Sequence, residues 1–366
     1  MQKKRVLIID FNGTSPTYTH YFALGLVSSG MDVEILGFKN PSYLNDFDTL
    51  NRYIGINIYN KHINYALNWL YLMLISRKYN VLHFQWLPLM NFTSLELFLI
   101  KSLKFLNMNV FYTIHNFFPH DCDDSRIQKR YLKLYKSIDN LVVHTNSTYN
   151  KLYEYGVVKK EKNIVLVNHG YFYSEFYEVY KSNNNDINFL MLGRISPYKG
   201  YHDAFILLNR LIELGFKAKL NILGKCDDPI FFESLKEEVK FFNLDNVVQI
   251  ENKFVECREL ILKYNKSTFS LMPYCEIEQS GVLFTSIGLR VPVLGYDVGG
   301  LGDEIQNGKN GYLVNYGDVE ELSKVVLSAI KEHALMVNYI NSSVKKDLWH
   351  QNGHILKEYY FKENTK

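Results

Sequence analysis

Short runs of apolar and β-branched residues alternate with longer segments of helical periodicity along most of the chain. Residues 5–10 (RVLIID) read as a strand, 17–29 as a helix stopped by Gly30, and 33–37 as a second strand. Residues 81–84, 110–114, 141–144 and 164–167 continue the strand series, with helical patterns between most of them. Near-continuous apolar strands separated by helices belong to a parallel sheet covered on both faces. The series pauses at 181–186 (KSNNND), a polar stretch that reads as a linker. A second series follows, with strands at 189–192, 218–223, 247–250, 269–272, 291–294 and 312–314 and helices at 201–214 and 319–330. The expected fold is α/β, with two Rossmann-like, doubly wound halves and ligands bound in a cleft at the carboxyl ends of their strands. The expected domains are 1–180 and 187–335, followed by a segment, 336–366, whose helical pattern across 334–361 suggests docking on the body of the protein.

Composition narrows this picture without redirecting it. At 366 residues two cores are the default, and 47% hydrophobic residues suffice to fill them. The net charge of +3 is mild and the cations are scattered, so nothing calls for nucleic acid. Cys122, Cys226, Cys257 and Cys275 form no CxxC pair or ligand cluster, which points to a reducing compartment and away from a structural zinc. The first apolar run ends after five residues at Asp10, too short for a signal peptide, and no run is long enough to span a bilayer. The expectation is a cytoplasmic protein that can attach to the inner membrane face. Two stretches, 65–78 and 94–107, are rich in Leu, Ile, Phe and Trp and carry Arg77, Lys78, Lys101 and Lys104. They suit an anionic lipid surface, but two ordinary sheet-covering helices account for the pattern slightly better.

Candidate chemistry concentrates in the second half. Gly193-Arg194-Ile-Ser-Pro-Tyr-Lys199-Gly200 follows the first strand there. Two cations at a strand end, next to a helix start, suit a diphosphate, though singly they read as solvated loop residues. Glu278-Gln-Ser280-Gly281-Val282 follows the strand at 269–272. Unpaired amides at the start of a helix can bind phosphate oxygens, and Glu278 can bond sugar hydroxyls; alone, the motif is an ordinary helix cap. In the first half Asn12-Gly13-Thr14 forms a loop after the first strand, where glycine lets the backbone approach a ligand. His115 ends the strand at 110–114 and points into the expected cleft, with His120 as second candidate. His144 and His169 also follow strands and read as structural or cleft-lining. Asp121-Cys-Asp123 looks like a metal-binding DxD, but no other carboxylate or His pair has ligand spacing, so no metal is expected.

Together, GRxxxxKG, ExxGV about eighty residues later, a Pro-Val strand, Gly299-Gly300 and NGKNGYLV resemble glycosyltransferase family 4 of the GT-B fold. The likeness is strong over 187–330 and weaker in the first half. It implies a nucleotide-sugar donor on the second domain and an acceptor on the first, with no metal or other cofactor. It further implies that Arg194 and Lys199 hold the diphosphate, that Glu278 contacts the donor sugar and that the Gly13 loop faces the donor phosphate and the acceptor. Ser280, Gly281 and Val282 would complete the anion site, and His115 would be the active-site histidine. T-x-H-N-x-x-P-H at 113–120 is similar to a branch that builds bacterial surface polysaccharides. Much of the family carries a second Glu where this chain has Ser286, so the charge-assisted contact to the donor ribose is reduced to a hydroxyl. The implied reaction is sugar transfer to a hydroxyl of a lipid-linked or growing glycan, normally with retention. A sugar-nucleotide epimerase or hydrolase on the same fold, and a sugar-binding module, are the rival readings. A nicotinamide dehydrogenase is disfavoured because Asp10-Phe-Asn-Gly13 stands where GxGxxG belongs.

Overall fold

The computed structural model describes residues 4–11, 13, 15–37, 52–119, 124–158, 163–178, 186–277, 279–344 and 348–362. They form two compact units, 1–170 with 347–366, and 171–346.

The first unit runs β1 (Arg5–Asp10), α1 (Pro16–Ser28), β2 (Asp32–Gly37), β3 (Tyr53–Ile54), α2 (Lys61–Ile75), β4 (Val81–Phe84), α3 (Leu95–Phe105), β5 (Val110–Ile114), α4 (Ser125–Ser137), β6 (Asn140–Val143), α5 (Asn146–Glu154) and β7 (Asn163–Leu166). Its seven strands are ordered β3-β2-β1-β4-β5-β6-β7, with parallel pairing throughout. Every residue of β4 and β5 is buried, as expected of central strands covered on both faces. The strand order reverses direction between β1 and β4, so the loops after these two strands flank a topological switch point.

The second unit runs β8 (Ile187–Leu192), α6 (Tyr201–Glu213), β9 (Ala218–Gly224), α7 (Pro229–Phe241), β10 (Val248–Asn252), α8 (Cys257–Asn265), β11 (Phe269–Met272), α9 (Gly281–Gly288), β12 (Val293–Tyr296), α10 (Leu301–Glu304), β13 (Gly311–Val314) and α11 (Val319–Ser343). Its parallel sheet is ordered β10-β9-β8-β11-β12-β13, and its switch point lies between β8 and β11. The two sheets confirm the expected doubly wound α/β halves, and the central strands lie within a residue or two of the apolar runs that predict them.

The units divide the chain differently from the polar stretch at 181–186, of which only Asp186 is described. The chain joins the second unit at Tyr171, because Phe172 donates its N–H to the Phe284 carbonyl on α9 and its carbonyl lies over Gly288. The single helical pattern across 334–361 is also corrected. Helix α11 ends at Ser343, and a separate α12 (Leu348–Tyr360) returns to the first unit. Helix α12 crosses α1 at two glycines: a Cβ on Gly353 would meet the Gly25 carbonyl at 2.0 Å, and one on Gly25 would meet the Trp349 carbonyl at 2.2 Å. Asn352 and Lys357 add bonds to the carbonyls of Asn168 and Ser29.

Candidate functional site

In the second unit the predicted cation loop is held by backbone geometry that only glycine meets easily. Gly193 follows β8 with φ 98°, and the Gly224 α-carbon lies against its carbonyl, 1.9 Å from where a Cβ would stand. Gly200 has φ 70° and packs its α-carbon against the Pro273 carbonyl beyond β11, again 1.9 Å from a Cβ position. Between them a short 3-10 turn, Pro197–Lys199, carries Lys199 inward. The Cys275 N–H donates to the Tyr198 carbonyl at 2.8 Å, so the loops after β8 and β11 are tied together across the switch point.

Lys199 is buried. Its ammonium donates to the Leu192 carbonyl and to the Tyr274 hydroxyl, both at 2.8 Å, and lies 4.4 Å from the Tyr274 ring centroid. No carboxylate partners it among these contacts, and burial alone brings its pKa from 10.5 down to about 7. A methyl group on Gly193 would stand 3.3 Å from the ammonium and 3.3 Å from a Val282 methyl, so these three positions converge on one small volume. Ser280 is the N-cap of α9: its hydroxyl accepts the Leu283 N–H at 3.3 Å. Gly281 and Val282 are then the first residues of the helix, where backbone N–H groups have no acceptor within the helix. A buried ammonium and the positive end of a helix thus lie side by side at the switch point, an arrangement suited to an anion.

Arg194 is disposed differently. Its guanidinium is largely exposed and pairs with Asp227 at 3.0 Å; Lys225 approaches the same carboxylate at 3.8 Å. Arg194, Gly193, Gly224 and Asp227 form one side of a cavity of about 350 Å³, and Lys253, Phe254 and Val255 form the other. The cavity opens at the carboxyl ends of β8, β9 and β10, next to the cation loop. Ser286 is fully buried in α9, and its hydroxyl donates to the Val291 carbonyl at 2.7 Å while its own carbonyl accepts the Val291 N–H. That hydroxyl closes the end of the helix.

In the first unit Gly13 has φ 57° and closes a turn after β1 by donating to the Asp10 carbonyl at 3.0 Å. His115 follows β5 directly and is buried. Its ring stacks on Trp86 at 4.5 Å and 7°, with the edge of Tyr18 at 4.5 Å. Nε2 donates to the Gln85 side-chain oxygen at 3.1 Å, which leaves Nδ1 as an acceptor. Gln85 Nε2 and Trp86 Nε1 are buried without hydrogen-bond partners. Burial, with smaller effects from His144, His169 and His83, holds the His115 pKa well below the usual range, so its ring is neutral. His144 donates from Nδ1 to the Val167 carbonyl at 2.9 Å and accepts the Tyr18 hydroxyl at Nε2, 2.8 Å away. His169 bonds the Gly170 carbonyl at 2.7 Å.

Within the second unit, the structure brings together Lys199, Ser280, Gly281 and Val282, and sets Arg194 beside an adjacent cavity. Glu278, Asn12, Thr14, His120 and the Asp121–Asp123 motif lie outside the described residues. The sequence reading passed over Tyr274, which anchors Lys199, and Asp227, which holds Arg194. Tyr274 opens the stretch that ends in EQSGV, and Asp227 follows a strand-ending glycine, but neither position has a pattern of its own. Gln85 and Trp86 lie thirty and twenty-nine residues from His115 and meet it only because β4 and β5 are adjacent.

Residues 174–346 match the family model described as glycosyl transferases group 1, and residues 51–167 match the glucosyltransferase 3-like N-terminal domain. A capsular polysaccharide biosynthesis glycosyltransferase of Staphylococcus aureus is 24% identical over 188 residues, a match spanning 48% of either chain and so about half the length of that relative. An uncharacterised 41.2 kDa protein from the cps region of Klebsiella pneumoniae is 25% identical over 277 residues, 71% of this chain and 73% of that one. Among solved structures, an Anabaena protein in complex with UDP-glucose superposes with a TM-score of 0.74 at 12% identity, covering 97% of this chain and 99% of the other. This likeness in fold is that of the GT-B architecture.

Proposed function

We propose that this chain, whose residues 174–346 match the glycosyl transferases group 1 family, moves a sugar from a nucleoside-diphosphate donor to a hydroxyl of a lipid-linked or growing surface glycan. One observation carries the proposal: the buried, carboxylate-free ammonium of Lys199 beside the N-terminus of α9, at the switch point of the second unit. In the reaction the bond between the sugar's anomeric carbon and the diphosphate oxygen breaks, and negative charge builds on the leaving diphosphate. Lys199, Arg194 and the amides of Gly281 and Val282 would stabilise that charge, without a metal ion. The cavity bounded by Arg194 and Phe254 would take the nucleoside.

Glu278 is assigned to the donor sugar, and the Gly13 loop to the donor phosphate and the acceptor. The Ser286 hydroxyl already serves Val291, so donor binding would rest on phosphate and base contacts more than on the ribose. His115 is proposed as the catalytic group of the first unit. Its neutral ring offers Nδ1 as an acceptor for a hydroxyl proton, and the unpartnered donors of Gln85 and Trp86 suit a polar ligand beside it. Transfer with retention and hexose specificity follow the family pattern and are part of the same proposal.

The test combines a thermal-shift screen of nucleoside diphosphates and their sugars with product analysis of Lys199→Ala and Glu278→Ala. A selective shift with one base, and loss of transfer in both folded variants, is expected. Full activity in both variants refutes the site. Products formed from donor alone would favour the epimerase or hydrolase reading.

A further inference from the structure

Helix α2 is apolar on both faces. Tyr65, Trp69, Leu72 and Ile75 are buried in the core, while Ile63, Leu70 and Leu74 recur at helical spacing on the outside. Helix α3 repeats the arrangement, with Leu97, Ile100 and Leu103 inside and Leu95, Phe98 and Phe105 outside. Leu74 is 81% exposed and Phe105 88%, so these are bare side chains rather than the edges of buried ones. The two helices meet at a groove on the outside. Met73 of α2 and Phe98, Lys101, Ser102 and Phe105 of α3 line one shallow groove of about 480 Å³. The Tyr65 hydroxyl, bonded to the Glu96 carboxylate, ties the two helices together beneath it. Scattered exposed apolar residues are ordinary, but an apolar groove shared by two helices marks an interaction surface.

Charge identifies the occupant. The exposed charged groups of α2, α3 and the turn after α2 are Lys61, Arg77, Lys78 and Lys101, all cationic. Lys104 is taken up by Asp139 at 2.7 Å. The only carboxylate on either helix, Glu96, is buried. Apolar side chains that project outward, with Lys101 in the groove itself and no exposed carboxylate on either helix, complement an anionic lipid surface. A protein partner would be expected to meet more mixed charge. No helix among the described residues is long and apolar enough to cross a membrane, so the contact is one of lying on the surface.

We propose that the outer faces of α2 and α3 dock this protein on an anionic membrane, with Leu70, Leu74, Phe98 and Phe105 inserted among the lipids and Lys78 and Lys101 at the headgroups. The inference deepens the functional reading, since it brings the enzyme to the surface where a lipid-linked acceptor resides.

The test is co-sedimentation of the full chain with vesicles of phosphatidylcholine alone or containing about one-third phosphatidylglycerol. Four proteins are compared: the wild type, Leu74→Ser/Phe105→Ser, Lys78→Glu/Lys101→Glu, and Ile230→Ser on the second unit as a control for exposed apolar residues in general. The expected result is wild-type binding to the anionic vesicles only. The apolar pair should weaken it by about tenfold or more at every salt concentration, the charge pair should weaken it mainly at low salt, and the control should leave it unchanged. Equal binding by the wild type and the apolar pair, or no binding by the wild type, overturns the proposal. So does a wild-type dimer in gel filtration that the apolar pair dissociates without any vesicle binding, which would make a second copy the occupant. Nucleoside-diphosphate thermal shifts on the same samples report the second unit separately, so failure of the donor reading is distinguishable from failure of membrane docking.

Discussion

Lys199 gives the sharpest prediction because its burial has a calculable consequence. Its pKa falls from 10.5 to about 7, a preference for the neutral form of about 5 kcal/mol. Between pH 7 and 10.5 the unfolded chain holds a proton that the folded chain has lost, so folding stability rises with pH across that window. Below pH 7 the charge is present and its desolvation cost is borne in full. A bound diphosphate reverses the preference by placing negative charge next to the ammonium, and its pKa rises. Above pH 7, binding must therefore take up a proton. The affinity for uridine diphosphate should fall with pH by up to about tenfold per unit between pH 7 and 9, where the diphosphate itself is fully ionised. Titration calorimetry in two buffers of different ionisation enthalpy would report the proton directly. Lys199→Met should bind more weakly and without this slope, and Lys199→Arg, charged at every pH, should also lose it. The Met variant forfeits two hydrogen bonds but removes a buried charge, and these effects are of similar size, so its melting temperature at pH 6 should move little. A pH-independent wild type, or a slope that survives in Lys199→Met, would refute the reasoning.

Three further predictions test the framework around the site. Gly200→Ala forces a side chain onto a left-handed residue and into the Pro273 carbonyl; urea unfolding should show a loss on the order of 3 kcal/mol and a weakened diphosphate thermal shift. Gly353→Leu should separate α12 from α1 at a cost of about 3 kcal/mol, seen as faster hydrogen exchange in both helices with the second unit unaffected. On acidification the first unit should unfold before the second. Burial lowers His20 and His144 to about 4 and His83 to about 3, so each contributes stability that is lost as pH falls from 6.5 toward those values, roughly 3 to 5 kcal/mol apiece. Glu96 acts in the opposite direction: its pKa is raised by burial to about 7, and it contributes stability below pH 4.5 that is lost as pH rises through 7, but one carboxyl cannot offset three imidazoles. Hydrogen exchange followed from pH 7 to 4 checks the order, and simultaneous unfolding of the two units would count against it.

The strands were readable because central parallel strands must be apolar on both faces, as Val81–Phe84 and Val110–Ile114 are. The division between units was not readable, because it depends on Tyr171 to Tyr173 finding a glycine face on α9, a contact that leaves no periodic trace. The break between α11 and α12 was missed for a related reason. Residues 334–361 carry a continuous helical pattern with no proline, and Gly353, which looks like a weak helix position, is needed for the crossing with α1. In the site, the loop glycines and the cap at Ser280 were visible from residue type and position. The burial of Lys199 was not, since a lysine in a strand-to-helix loop is ordinarily solvated, and its anchor Tyr274 belongs to a different strand end.

Under the proposed function, the two cations paired by the sequence motif would therefore do different work. Arg194 is 70% exposed and Asp227 53%, so their ion pair contributes at most about 1 kcal/mol and is readily exchanged for a ligand phosphate. Its contribution to binding should be screened by salt. Lys199 has already been stripped of water and oriented by Leu192 and Tyr274 during folding, so in the proposed reaction little reorganisation would remain as charge develops beside it. A solvated cation recruits an anion into the site. A desolvated one gains most when the anion's charge increases, which is the change that accompanies departure of a diphosphate. Gly193 and Gly200 make this difference possible: by letting the loop turn tightly onto the ends of β9 and β11, they carry one cation of the motif into the protein and leave the other in solvent.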